Sequence, residues 1–207
     1  MEIHMTARLR FAALVSVPLV FAAAPAFAHH MMGGRTPATF MEGLLSGLAH
    51  PVIGLDHFAF LAAIGIAVGA FGLNLLLPVA FVVAMAIGVA IHVGGVTVPG
   101  AEIFVAASVL AAGLLLARAR PVPVIAWGAL FAVAGLFHGY ALGESIYGAE
   151  RAPLAAYLIG LAAVQSVVAI GLALATRRLS SDQLASAPRA AGLFILGVGA
   201  VAMVGSL

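Results

Sequence analysis

The stretch Gly47–Phe71, GLAHPVIGLDHFAFLAAIGIAVGAF, places three side chains that lipid disfavours, His50, Asp56 and His57, at the head of an apolar run. A bilayer core of about 30 Å is crossed by about twenty apolar residues in a helix rising 1.5 Å per residue. The second half of this stretch is built for that environment, and its first half is not. The same contrast recurs along the chain. Of 207 residues, 64% are hydrophobic and 8% charged, with a mean hydropathy of +1.21. Soluble domains run near a quarter charged. The apolar residues come in runs of about twenty between short polar breaks, the pattern of an integral membrane protein.

The expected fold is therefore an all-α polytopic membrane helix bundle. Six spans are predicted, near 55–71, 73–92, 101–117, 122–141, 153–175 and 190–206. A helix near 38–49 is too short to cross; it reads as interfacial or re-entrant, broken by Pro51 from the first span. Residues 1–28 read as a cleaved secretory signal peptide: Arg8 and Arg10, an apolar stretch from Phe11 to Ala24, then the small-residue site AFA at Ala26–Ala28. One transmembrane domain, 29–207, would begin at His29 on the periplasmic side of a bacterial inner membrane. The breaks after spans one, three and five then face the cytoplasm. They hold Arg118, Arg120, Arg177, Arg178 and Arg189, five of the seven arginines beyond residue 28. Positive charge concentrates on the inner side of membrane proteins, so leader and arginines agree on orientation.

Several functions are excluded. Nine arginines spread along the chain form no basic stripe for nucleic acid. There is no cysteine for a disulfide or thiolate site, and no lysine for a nucleotide-binding phosphate loop. The GVGAVA of Gly197–Ala202 lies inside an apolar run with no preceding strand, so no dinucleotide site is expected. Gly65/Gly69 and Gly139/Gly143 place small residues four apart for close helix packing. Gln165, near the middle of the fifth span, is expected to hydrogen-bond a neighbouring helix.

The polar residues collect on one side. His50, Asp56 and His57 open the first span, His92 ends the second, and Glu102 opens the third. His138 lies near the outer end of the fourth, with Glu144 and Glu150 in the loop beyond. Asp182 is the exception on the inner side. Ionisable residues in spans are disfavoured and mark functional sites by default. Helix capping by Asp56 and carbonyl contacts from His57 or His138 would explain single residues, but not four histidines on one side of a membrane. Imidazoles with carboxylates suit Ni²⁺, Zn²⁺, Cu²⁺ or Co²⁺ rather than Mg²⁺ or Ca²⁺. On one continuous helix His50 and His57 share a face about 10.5 Å apart, with Asp56 about 100° away. A shared ion therefore needs a turn between them, which Pro51 and Gly54 supply. FHGYALGE, Phe137–Glu144, echoes the pattern: a histidine, a glycine-containing turn, then an acid six residues on. HHMM, His29–Met32, offers a tail that captures metal or is simply solvated.

At these segments the chain resembles the HupE/UreJ family of nickel and cobalt permeases. HPVIGLDH (His50–His57) fits that family's His-x5-Asp-His signature, and FHG (Phe137–Gly139) its second motif. Where the usual second motif, F-H-G-x-A-x-G-x-E, carries its acid at position 145, this chain has Ser145, with Glu144 one residue early and Glu150 further on. Position 142, often histidine in the family, is Leu142. The resemblance implies secondary uptake of a divalent transition metal, nickel or cobalt, with no enzymatic activity and no permanently bound cofactor. Its implied ligands are His50, Asp56, His57 and His138, completed by Glu144 or Glu150; His92 joins them as a candidate from its position. The implied partners are the metal ion and the lipid bilayer, with neither nucleic acid nor nucleotide. The rivals are an intramembrane zinc-dependent hydrolase and a metal-sensing or accessory membrane subunit.

Overall fold

The structure, a computed structural model, describes residues 35–120 and 122–207. The expected leader and the HHMM tail lie outside these residues. Among the described residues seven α-helices follow one another: α1 (Phe40–Ile53), α2 (Leu55–Ala70), α3 (Leu76–Val93), α4 (Ala101–Ala117), α5 (Val124–Gly143), α6 (Arg151–Thr176) and α7 (Ser181–Gly205). A 3₁₀ turn, Glu144–Ile146, extends α5. No strand occurs among the described residues. The chain is a multi-pass helical membrane bundle. α3, α5 with its extension, α6 and α7 are each long and apolar enough to cross a bilayer. α1 and α2 meet that test together, as a pair bent by 77°, and α4 is an apolar helix of 17 residues. Every expected span has its helix.

Two boundaries depart from the sequence reading. α1 runs through Pro51 to Ile53, and the bend falls at Gly54. A proline removes one donor and crowds the carbonyl four residues earlier; so close to the helix end, that loss is confined to the final turn. The second departure is α7, which starts at Ser181 rather than near 190. The Ser180 hydroxyl accepts from the Gln183 amide, while Gln183 Oε1 accepts from the Ser180 amide. This reciprocal cap starts the helix upstream, and Pro188 is carried inside it. Thr39 and Glu42 form the same device at the head of α1.

α2 is the centre of the bundle, packed by α1, α3, α4, α6 and α7. Phe60, Leu61, Ala63, Ile64, Ala67 and Val68 are all buried along it. The close pairs are α3 on α5, α4 on α7 and α1 on α6, and glycines set their spacing. A Cβ on Gly139 would strike the Met85 backbone, and one on Gly43 the Pro153 carbonyl. Gly65 and Gly69 admit Leu172 and Thr176 of α6, and Gly143 admits His92, so the fourfold spacing read in the sequence marks packing faces. Gln165 departs from expectation: its Oε1 is buried with no hydrogen-bond partner.

Aromatic rings run down from the α5 histidine. His138 meets Phe60 at 4.7 Å, Phe60 meets Phe131 at 6.2 Å, Phe131 meets Trp127 at 5.6 Å, and Trp127 stacks on Phe71 at 5.9 Å. At the far end the Arg177 guanidinium donates to the Leu73 carbonyl at 2.6 Å, tying the end of α6 to the turn between α2 and α3.

Candidate metal site

Because successive helices alternate in direction, the heads of α2 and α4 and the tails of α5 and α7 share one end of the bundle. A cavity of about 350 Å³ opens there. His50 from α1, Asp56 and His57 from α2, Glu102 from α4 and Glu144 after α5 line it, with Gly205 and Ser206 closing the α7 side. A water takes up about 30 Å³ of liquid volume, so the space suits an ion that keeps several of its waters.

The bend at Gly54 assembles the first motif. It stops α1 just after His50 and restarts the chain as α2, so His50, Asp56 and His57 face one cavity rather than lying strung along one helix. Asp56 sits in the first turn of α2, where a carboxylate is favoured by the helix dipole. Its Oδ1 accepts from the backbone amide of His57 at 2.8 Å and lies 2.9 Å from Nδ1 of the same ring. An ionised carboxylate only accepts, so Nδ1 carries the hydrogen in this pair. Nε2 of His57 is then left buried with no hydrogen-bond partner. Native interiors rarely leave such an atom unsatisfied, and an imidazole nitrogen of this kind is a metal-binding group.

His138 lies directly against His57, ring centroids 4.8 Å apart and edge to face. It is almost wholly buried, and its Nε2 is 2.9 Å from the Ser108 hydroxyl. Glu144 is exposed on the cavity wall. Its neighbour Ser145 donates to the Tyr157 hydroxyl at 3.0 Å, and Tyr157 donates in turn to the Leu142 carbonyl at 2.7 Å. The residue at the family's usual acid position thus holds the α5–α6 corner.

His138 touches His57 but does not itself line the cavity, and two further candidates stand apart from both. His92 ends α3 between Tyr140 and Tyr147, at 4.5 and 5.7 Å, and does not line the cavity. Its Nδ1 is buried without a hydrogen-bond partner. Glu150 is the exposed cap residue of α6, also off the cavity. Among the described residues no three His, Asp or Glu side chains are grouped closely enough to hold one ion. Neither Glu102 nor Ser108 belongs to the ligand set expected from the sequence. Glu102 carried a usable signal, its place at the outer head of a span. Ser108 carried none, since 30 residues separate it from the ring it touches.

Comparison with known proteins gives two matches. The pattern of the family described as HupE / UreJ protein matches residues 17–202. The chain is 30% identical to Protein HupE of Rhizobium leguminosarum bv. viciae over 194 residues, covering 92% of this chain and 97% of that protein. No solved structure matches.

Proposed function

The chain belongs to the HupE/UreJ family, and from that premise we propose that it is a secondary permease for a divalent transition metal, nickel first and cobalt second. It sits in the bacterial inner membrane with the cavity on the periplasmic side. The observation that carries this reading is the meeting of His50, Asp56, His57 and Glu144, from three parts of the bundle, on one cavity where His57 Nε2 is buried and unpaired.

The ion enters partly hydrated, attracted by Asp56, Glu102 and Glu144, and exchanges waters for imidazole nitrogens and carboxylate oxygens. Few protein ligands act at once, which keeps binding weak enough for release and agrees with the lack of a three-ligand group among the described residues. His138, behind His57, is the next ligand inward. An inside-negative potential supplies about 4.6 kcal/mol per 100 mV to a dication, twice the single-charge value. That equals more than a thousandfold accumulation at equilibrium, so no nucleotide hydrolysis is needed.

The test is accumulation of Ni²⁺ and Co²⁺ in cells producing the wild type, His57→Ala or Asp56→Asn at matched protein levels. Both variants are expected to lose most uptake, and wild-type accumulation by either removes the proposed site. Vesicles holding the lone chain under an imposed potential test autonomy. A chain that serves only as a partner subunit moves no ion there.

A further inference from the structure

Ser108 lies midway along α4 in an otherwise apolar run and is buried. Hydroxyls inside helices commonly turn back on their own backbone, and Ser108 does so, donating to the Val105 carbonyl at 2.7 Å. The same oxygen stands 2.9 Å from Nε2 of His138. A hydroxyl has one proton and two lone pairs. With the proton on Val105, Oγ is left to accept, so Nε2 of His138 carries the ring hydrogen. In a neutral imidazole Nδ1 then keeps its lone pair, and it makes no hydrogen bond among the described residues. His57 is held the other way round, Nδ1 on Asp56 and Nε2 bare.

We propose that Ser108 is a positioning residue that holds His138 in the Nε2–H tautomer, so that the adjoining His57 and His138 rings offer a divalent cation two bare nitrogens of opposite type. Metal-binding histidines generally give their other N–H to an acceptor that fixes tautomer and ring orientation. Here a carboxylate does this for His57 and a neutral hydroxyl for His138. The hydroxyl raises ligand basicity less, so His138 is the weaker and more easily left of the two ligands, as a site that passes its ion onward requires. Only the fate of the ion rests on the permease reading; the tautomer does not.

The experiment uses the full chain with isotope-labelled histidine in lipid, first without metal, reading each ring's tautomer from its nitrogen chemical shifts. His138→Gln identifies the His138 signals. The wild type is expected to show His138 protonated at Nε2 and bare at Nδ1. In Ser108→Ala the Nδ1–H form gains population, and Ser108→Thr, which keeps a hydroxyl, restores the wild-type pattern. Zn²⁺, a diamagnetic probe, shifts the Nδ1 signal of the wild type at about tenfold lower concentration than that of Ser108→Ala. A wild-type His138 protonated at Nδ1, or a tautomer unmoved by Ser108→Ala, overturns the proposal. A wild type that shows the expected tautomer and Zn²⁺ response yet moves no ion upholds the proposal and removes the permease reading instead.

Discussion

Glu144 and Glu150 show how much one residue's placement decides. Both come after the second histidine motif, and either suits the acid that the family pattern puts at position 145. Glu144 lies on the cavity with Asp56 and His57, whereas Glu150 stands at the N-cap position of α6, off the cavity. Losing a charged partner is worth about 1.5–3 kcal/mol, hence about tenfold or more in affinity. Glu144→Gln is therefore expected to raise the half-saturating metal concentration for uptake by about tenfold, and Glu150→Gln to leave it within about twofold. Uptake measured against metal concentration checks both. Equal effects would place the acid role outside this cavity.

Between elements, backbone contact across glycines sets how closely helices pack. A Cβ on Gly139 would collide with the Met85 backbone, and α3 and α5 would have to separate to admit it. That separation would also disturb His138, one residue earlier on the same helix. Gly171 on α6 has nothing within 4 Å of where its Cβ would stand. Gly139→Ala is expected to lower the thermal midpoint of the detergent-solubilised protein, overpacking typically costing about 1–3 kcal/mol. Gly171→Ala leaves it unchanged or raises it, because alanine is the better helix former by about 1 kcal/mol. Thermal unfolding of the two variants beside the wild type makes the comparison, and a stable Gly139→Ala would contradict the close α3–α5 approach.

For the molecule as a whole, the two ends differ in chemistry. Imidazoles and carboxylates gather where α2 and α4 begin, and Arg118, Arg120, Arg177 and Arg178 where α4 and α6 finish. If the arginine end is cytoplasmic, a cysteine replacing Glu150 reacts with a membrane-impermeant maleimide in intact cells. One replacing Ser181 reacts only after permeabilisation. The chain has no cysteine of its own, so labelling reports the introduced site alone. Reversed labelling would invert the proposed direction of uptake.

The sequence by itself determined the class of fold and the chemistry of one end. Helix length, hydropathy and the positions of scarce charges are local properties, and a bilayer restricts what a run of apolar residues can become. Asp56 and His57 were legible as candidate ligands, but not the hydrogen bond between their side chains. Tertiary structure alone decided that the chain turns at Gly54 rather than Pro51, that Glu144 and not Glu150 meets the cavity, and that Ser108 touches His138. It also left the Gln165 Oε1 buried with no hydrogen-bond partner. Each of these depends on which face of a helix meets which distant neighbour, and hydropathy, being the same for every face of a helix buried all round, carries no record of it.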